Sequence, residues 1–222
     1  MADLEPAPAS LAVTGMGALR AGRVLFRDLD FRLQAGQALM LRGANGSGKS
    51  SLLRSLAGLA PWQAGQLHWR GHSCSSRAPQ YLDELAYLGH HNGLSDGLSV
   101  HANLDFGLAL QGQAGDARRR TEVLDRLALR PLGERLVGRL SQGQRRRVGL
   151  ARLMLSARRL WLLDEPEASL DAAGVQLLEQ ILIEHLAGGG LVVLASHGGL
   201  QLGQHALPVL KLGASRAQEL AC

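Results

Sequence analysis

Apolar positions along this 222-residue chain fall into two kinds of run. Short unbroken runs bounded by glycine, polar or acidic residues predict strands: ALMLR (38–42), the start of AYLGHH (86–91), the centre of RRLWLLDEP (158–166) and LVVLASH (191–197). Longer stretches carry leucine, valine or isoleucine at i, i+3 and i+4 spacing and predict helices. These are SSLLRSLAGL (50–59), VHANLDFGLAL (100–110), DARRRTEVLDRLAL (116–129), SQGQRRRVGLARLMLS (141–156) and VQLLEQILIEHLA (175–187). Within residues 11–70, VLFRDLDFRL (24–33) and QLHWRG (66–71) predict further short strands, and residues 71–85 a polar connection. Strand and helix alternate from there on, so the expected architecture is α/β: a parallel sheet with helices packed on it and a helical insert before residue 140. Residues 1–10 are expected to be loose.

Composition narrows the class. With 46% apolar residues the chain is ample for one α/β domain with a buried core. No apolar run approaches the roughly 18 residues needed to span a bilayer, and MADLEPAPAS has no export-signal pattern, so a cytoplasmic location is expected. Cys74 and Cys222 are too few and too scattered for a disulfide framework or a metal site. The net charge of +5 gathers in RRR at 118–120, RRR at 145–147 and RR at 158–159. No aromatic lies inside these runs, which argues against a nucleic-acid partner; they read as solvated helix faces, or as groups near anionic lipid or acidic partner surfaces.

One stretch carries specific chemistry. GANGSGKS (43–50) fits GxxxxGK[ST] and stands between a predicted strand and a predicted helix. Gly43, Ala44, Asn45, Gly46, Ser47 and Gly48 would cradle phosphates with backbone N–H groups, Lys49 would reach the β and γ oxygens, Ser50 would hold Mg²⁺, and Ser51 stands beside them. Lys49 is one of two lysines among 24 basic residues. A compact ammonium suits a loop filled by phosphate oxygens better than the planar arginine fork. Such a loop needs an acidic partner at a strand end, and LWLLDE supplies one: Asp164 for the metal, through water, and Glu165 to accept the attacking water's proton. The same two acids could instead open a turn before Pro166.

Taken together these residues resemble the nucleotide-binding subunit of ABC transporters over nearly the whole chain. Gly43–Ser50 resemble the Walker A loop, Leu160–Asp164 the Walker B strand, Glu165 the catalytic glutamate and LSQGQ (140–144) the LSGGQ signature with Gln142 for one glycine. Ser169, Leu170 and Asp171 look like the D-loop, and His197 like the switch histidine, which holds the γ-phosphate or orients the water. The resemblance implies a P-loop NTPase fold: a mainly parallel sheet, an antiparallel β subdomain and a helical subdomain in one domain, 1–222. Residues 11–87 and 155–222 would form the core and 88–154 the helical part. It implies ATP and Mg²⁺ as cofactors. It also implies a head-to-tail homodimer in which Ser141, Gly143 and Gln144 meet the other copy's nucleotide.

Two departures from the family pattern are visible. Arg20 stands where an aromatic usually stacks on adenine, so Arg20, Phe26 or nothing serves the base. His91 takes the Q-loop position, acting on Mg²⁺ through water or as a coupling contact. The groove that receives a membrane subunit would involve His91, Asn92, Gly93, Leu94 and the helix opening near Val100; Leu94 and Leu98 are either exposed apolar contacts there or buried in the insert.

A narrower resemblance rests on GHHNGL (89–94), SQGQRRRV (141–148) and LWLLDEP (160–166). It is to the ATP-binding subunits of cytochrome c maturation systems, the haem-export ATPases of Gram-negative bacteria. That implies a peripheral subunit on the cytoplasmic face of the bacterial inner membrane, paired with integral-membrane permease subunits and supporting haem delivery to a periplasmic chaperone. ATPase subunits of other small transporters, for lipoproteins or metals, and soluble nucleic-acid-associated ABC ATPases share the chemistry. The latter usually carry a second cassette or a long coiled-coil insertion.

Overall fold

The computed structural model describes residues 10–20, 22–112, 115–196, 199–204, 207–213 and 218–220. A four-stranded antiparallel sheet is built from β1 (Leu11–Arg20), β2 (Arg23–Leu33), β4 (Ala64–Trp69) and β5 (His72–Cys74) in the order β2-β1-β4-β5. The central sheet comprises β3 (Ala38–Arg42), β6 (Leu85–Leu88), β7 (Leu160–Asp164), β8 (Leu191–Ala195), β9 (Val209–Lys211) and β10 (Gln218–Leu220). Its order is β10-β9-β3-β8-β7-β6, parallel throughout except where β10 runs antiparallel to β9. The helices are α1 (Lys49–Leu56), the four-residue α2 (Pro79–Leu82), α3 (Val100–Ala109), α4 (Ala117–Arg126), α5 (Gln142–Leu155) and α6 (Ala172–Ala187).

The unbroken apolar strands are explained by the two cores they serve. Leu39, Leu41, Leu160, Leu162, Leu191 and Val193 face one side, where they pack with α1 residues Leu52, Leu53 and Leu56 and with the antiparallel sheet through Leu11, Phe31 and Leu67. Ala38, Met40, Trp161, Leu163, Val192 and Leu194 alternate to the other side, against residues of α3 to α6 such as Leu104, Leu124, Val148 and Ile181. Successive side chains of a strand point to opposite faces, so a strand buried on both faces must be apolar at every position. A half-exposed strand would have alternated.

The polar connection expected at 71–85 holds β5 and α2, and the chain after residue 207 adds β9 and β10. Three-residue strands and a single helical turn are too short to show a period. The last turn of α6 carries His185, whose ring stacks on Trp161 with centroids 3.7 Å apart and planes 9° from parallel. Its Nε2 lies 3.0 Å from the Arg159 carbonyl oxygen. A helix C-terminus favours a cation, but burial against the indole wins and lowers the His185 pKa below the ordinary histidine value, against the pull of the Arg159 and Leu191 backbone.

That shift has a definite sign. In the unfolded chain His185 takes up a proton near pH 6.5, whereas the folded chain resists it, so this contribution to stability is complete above about pH 6.5 and is lost as pH falls below it. Urea midpoints measured at about pH 7.5 and about pH 5.5 should therefore fall with acidification in the wild type, and His185→Phe, which keeps the stack, should show a shallower fall. An unchanged slope would place the acid sensitivity elsewhere.

Candidate nucleotide-binding site

β3 ends at Arg42 and α1 begins at Lys49, so residues 43–48 form a loop at the carboxyl end of the sheet. Glycine is required at its entry: a Cβ on Gly43 would sit 2.4 Å from the Leu212 carbonyl oxygen and 2.5 Å from Ser47 Oγ. At its exit Gly48 has φ 102°, which side-chain-bearing residues rarely adopt, and it backs onto Leu25 and Phe26. Gly48 is the N-cap of α1 and offers no side-chain acceptor, so the first-turn N–H groups are free to meet an anion. Ser47 Oγ is buried with no hydrogen-bond partner. Lys49 is buried, and its ammonium donates to the Gly43 carbonyl at 2.7 Å and the Ala44 carbonyl at 3.3 Å.

Across the loop lies the end of β7. Ser50 Oγ donates to Asp164 Oδ1 at 3.1 Å, joining residues 114 apart in the chain. Burial pushes the Asp164 carboxyl above the ordinary aspartate range, opposed by the Ser50 hydrogen bond. Glu165 follows in a left-handed backbone conformation, φ 51°, and its N–H donates to the Ala195 carbonyl at 2.8 Å. Arg20, Leu25, Asn45, Gly46, Ser47, Gly48, Lys49, Ser50, Ser51 and Glu165 line one open hollow of about 340 Å³. The arrangement fits a triphosphate with a divalent cation: an unpartnered buried hydroxyl, an ammonium, open helix donors, and a hydroxyl in the lining that is bonded to a buried carboxylate behind it. Among the described residues no cluster of three or more His, Cys, Asp or Glu forms a cage. Mg²⁺ suits such a site because it commonly takes one or two carboxylates and completes its shell with water and phosphate oxygens.

The remaining expected residues fall as follows. Arg20 is exposed and lines the hollow, whereas Phe26 is buried beneath Gly48 and does not line it. Ser141 is the N-cap of α5: its Oγ accepts from Gln144 N at 3.2 Å, and Gln144 Oε1 accepts from Ser141 N at 3.0 Å. Gly143 approaches the Ser169 carbonyl so closely that a Cβ would lie 2.7 Å from it. Ser141, Gly143 and Gln144 do not line the hollow of their own chain. His197 lies outside the described residues. His91 is exposed and lines a second hollow with Asn92, Gly93, Leu94, Asp96, Gln142 and Arg145. Its neighbour His90 lines the same hollow and also approaches the acids, with Nδ1 3.7 Å from Glu165 Oε2. Leu94 packs partly buried against the core, while Leu98 is exposed.

Arg146 was hidden in a charge run. Expected on a solvated face, it is 3% exposed and its guanidinium makes five hydrogen bonds. Burying an arginine costs several kcal/mol, and charge-assisted bonds return about 1.5–3 kcal/mol each, so only a nearly complete set holds it there. Desolvation lowers its pKa, against the nearby Glu167, Asp164 and Glu165 carboxylates. Its neighbours Arg145 and Arg147 pair with Asp96 and Asp171 at 3.0 and 3.1 Å. The spacing S-x-x-Q at 141–144, a capping-box pattern, signals the start of α5 and so the face on which Arg146 lies.

With this geometry in place, comparison with known proteins gives the class. A family model described as ABC transporter matches residues 26–168. The chain belongs to the ABC transporter family, as an ATP-binding subunit of the kind that hydrolyses ATP. It is 50% identical over 204 residues to the cytochrome c biogenesis ATP-binding export protein CcmA of Bordetella bronchiseptica, covering 90% of this chain and 88% of that one. It is 43% identical over 205 residues to the protein of the same name from Albidiferax ferrireducens, covering 92% and 98%. The solved ATP-binding subunit of an ABC transporter superposes with a TM-score of 0.85 at 21% identity, over 95% of this chain and 89% of that one, and so agrees in fold.

Lys49→Ala is expected to remove nearly all ATP hydrolysis, because the ammonium is the loop's only side-chain cation; phosphate release within about a factor of two of wild type would exclude the loop from the chemistry. For the base, Arg20→Ala should weaken binding of a fluorescent ATP analogue by about 0.5–1 kcal/mol, the size of a partly exposed cation–π contact, and Arg20→Tyr should restore it. Weaker binding by the tyrosine variant than by the alanine variant would show that residue 20 does not face adenine.

Proposed function

We propose that this chain is the ATP-hydrolysing subunit of a transporter that serves c-type cytochrome biogenesis, its hydrolysis powering haem export and release to a periplasmic haem chaperone. The observation that carries the nucleotide part is the closure of Ser50 on Asp164 beside Lys49 and Glu165 around one hollow. The cargo part is supported by the names of the relatives, cytochrome c biogenesis ATP-binding export proteins, with which the chain is up to 50% identical over the aligned residues.

In this reading the loop amides of residues 43–48 and the start of α1 bind the phosphates, and Lys49 neutralises the γ oxygens where charge develops. Ser50 and Asp164 hold Mg²⁺, which when bound offsets charge on the β and γ oxygens. Glu165 accepts the proton of the attacking water, and His197 holds the γ-phosphate. The site is completed by a second copy, whose Ser141, Gly143 and Gln144 face the nucleotide from the N-terminus of α5. About a two-fold axis such a contact is reciprocal, so each copy gives its α5 start to the other's nucleotide.

Force must pass to a membrane subunit. No helix among the described residues is long and apolar enough to cross a membrane. A docking surface is available on the side of α3: Phe106 is 57% and Leu110 72% exposed, and Leu110 borders a cleft formed with Leu85–Leu88 of β6 and Arg152 and Leu153 of α5. His91 and Asn92 lie on the loop that leaves β6. Integral-membrane permease subunits would seat there, holding the chain at the cytoplasmic face of the inner membrane; apolar contacts of this kind mark interaction sites on otherwise polar surfaces.

Cell fractionation tests the proposal. The chain should sediment with membranes only when its integral-membrane partners are co-expressed, and those partners should co-purify with it. Leu110→Asp should release it, because a charge would be desolvated in the interface, while leaving ATP-analogue binding unchanged. Equal membrane recovery with and without partners would mean that the arginines bind lipid directly, and the docking model would fail.

A further inference from the structure

The five acceptors around Arg146 come from two parts of the site. Nε donates to the Pro166 carbonyl at 3.0 Å, and Nη2 donates to the Asp164 carbonyl at 2.8 Å and the Glu165 carbonyl at 2.6 Å. Three successive carbonyls converging on one cation require a tight backbone twist, and Glu165 supplies it with φ 51°. A left-handed glutamate is strained unless its surroundings over-determine it. The other amino group, Nη1, donates to the Gly89 carbonyl and to Asn92 Oδ1, both at 2.8 Å. Gly89 and Asn92 flank His90 and His91 in the turn that leaves β6. Arg146 itself stands five residues after Ser141 on α5, so one rigid, planar group ties three elements together.

We propose that Arg146 is a positioning residue for hydrolysis, one that locks the backbone of Asp164–Pro166, and with it the Glu165 carboxylate, to the turn at 89–92. The inference rests on the reading of Glu165 as the acceptor of the water's proton. Arg146 does not touch the hollow that receives the nucleotide, so it acts only through the residues it holds. A shift of the 89–92 turn, such as docking of a partner would cause, pulls on the guanidinium and thereby moves the acid. Lysine cannot substitute, since a single ammonium has three donors and no fork with which to reach five acceptors on two sides.

Single-turnover hydrolysis and ATP-analogue affinity of the full chain separate this role from a general loss of structure. Arg146→Lys should slow hydrolysis by roughly tenfold or more, as misplacement of a catalytic group does, while the analogue Kd stays within about twofold. In a Glu165→Gln background the same change should slow the residual rate by less than about twofold, because the group it positions is already disabled. Equal slowing in both backgrounds would overturn the proposal, as would a loss of affinity matching the loss of rate. Should Arg146→Lys fail to unfold cooperatively, Asn92→Ala carries the test: it removes one acceptor from an otherwise intact turn, and should slow hydrolysis about threefold at unchanged Kd, again without effect beside Glu165→Gln. Wild-type hydrolysis by Asn92→Ala would overturn the link to the turn. Failure of the wild type to bind the ATP analogue would overturn the nucleotide reading instead, so the two failures are distinguishable.

Discussion

The hydrogen bond from Ser50 Oγ to Asp164 Oδ1 joins the phosphate loop to the acidic strand, and the rest of the molecule exists in the form that permits it. Ser50 is placed by the β3-loop-α1 unit and Asp164 by β7, two strands separated in the central sheet by β8 alone. The register is fixed by pairs such as Leu41 with Ala195 and Asp164 with Ala195, which bring both carboxyl ends to the same level. Leu160 and Leu162 enter one core while Trp161 and Leu163 enter the other, so the register that packs the two cores also sets the reach between hydroxyl and carboxylate. Stability and site geometry are here one constraint.

Around that bond the charges are arranged by burial rather than by number. Asp164 is held in a place that disfavours its ionised form, and a carboxyl so placed gains from any cation set beside it. Lys49 rests on backbone carbonyls instead of a carboxylate, so it can exchange them for phosphate oxygens without breaking an ion pair. Arg146, with the desolvation penalty of a buried guanidinium, takes the opposite role: it is fully engaged by protein acceptors and serves geometry. Three cationic or anionic groups within one site thus have three different tasks, each set by its partners.

Much of this was legible in the sequence, for physical reasons that also mark where reading stops. The loop at 43–50 and the acids at 164–165 are legible because phosphate binding needs particular residue types at fixed spacing within a strand-loop-helix unit, and the central strands because burial on both faces leaves no polar positions. The helix over 141–156 is legible in its apolar spacing at i, i+3 and i+4. β5, α2, β9 and β10 were not legible, being too short for any periodicity. A run of three arginines has no internal signal of which one turns inward, so Arg146 looks like surface charge in the sequence; its burial is decided by five acceptors scattered from residue 89 to residue 166. His90 and His91 pose the same difficulty: both line one hollow, and only the fold decides which of them approaches Glu165.

In the proposed dimer each hydrolytic site is shared, with the phosphate loop and acids from one chain and the start of α5 from the other. Subunit mixing is the decisive test. Lys49→Ala and Ser141→Arg chains should each be inactive alone, yet phosphate release from an equal mixture should recover to as much as roughly a quarter of wild type, because half of randomly paired dimers contain one intact composite site of two. A mixture as inactive as its components, under conditions where the wild type hydrolyses ATP, would contradict the shared site.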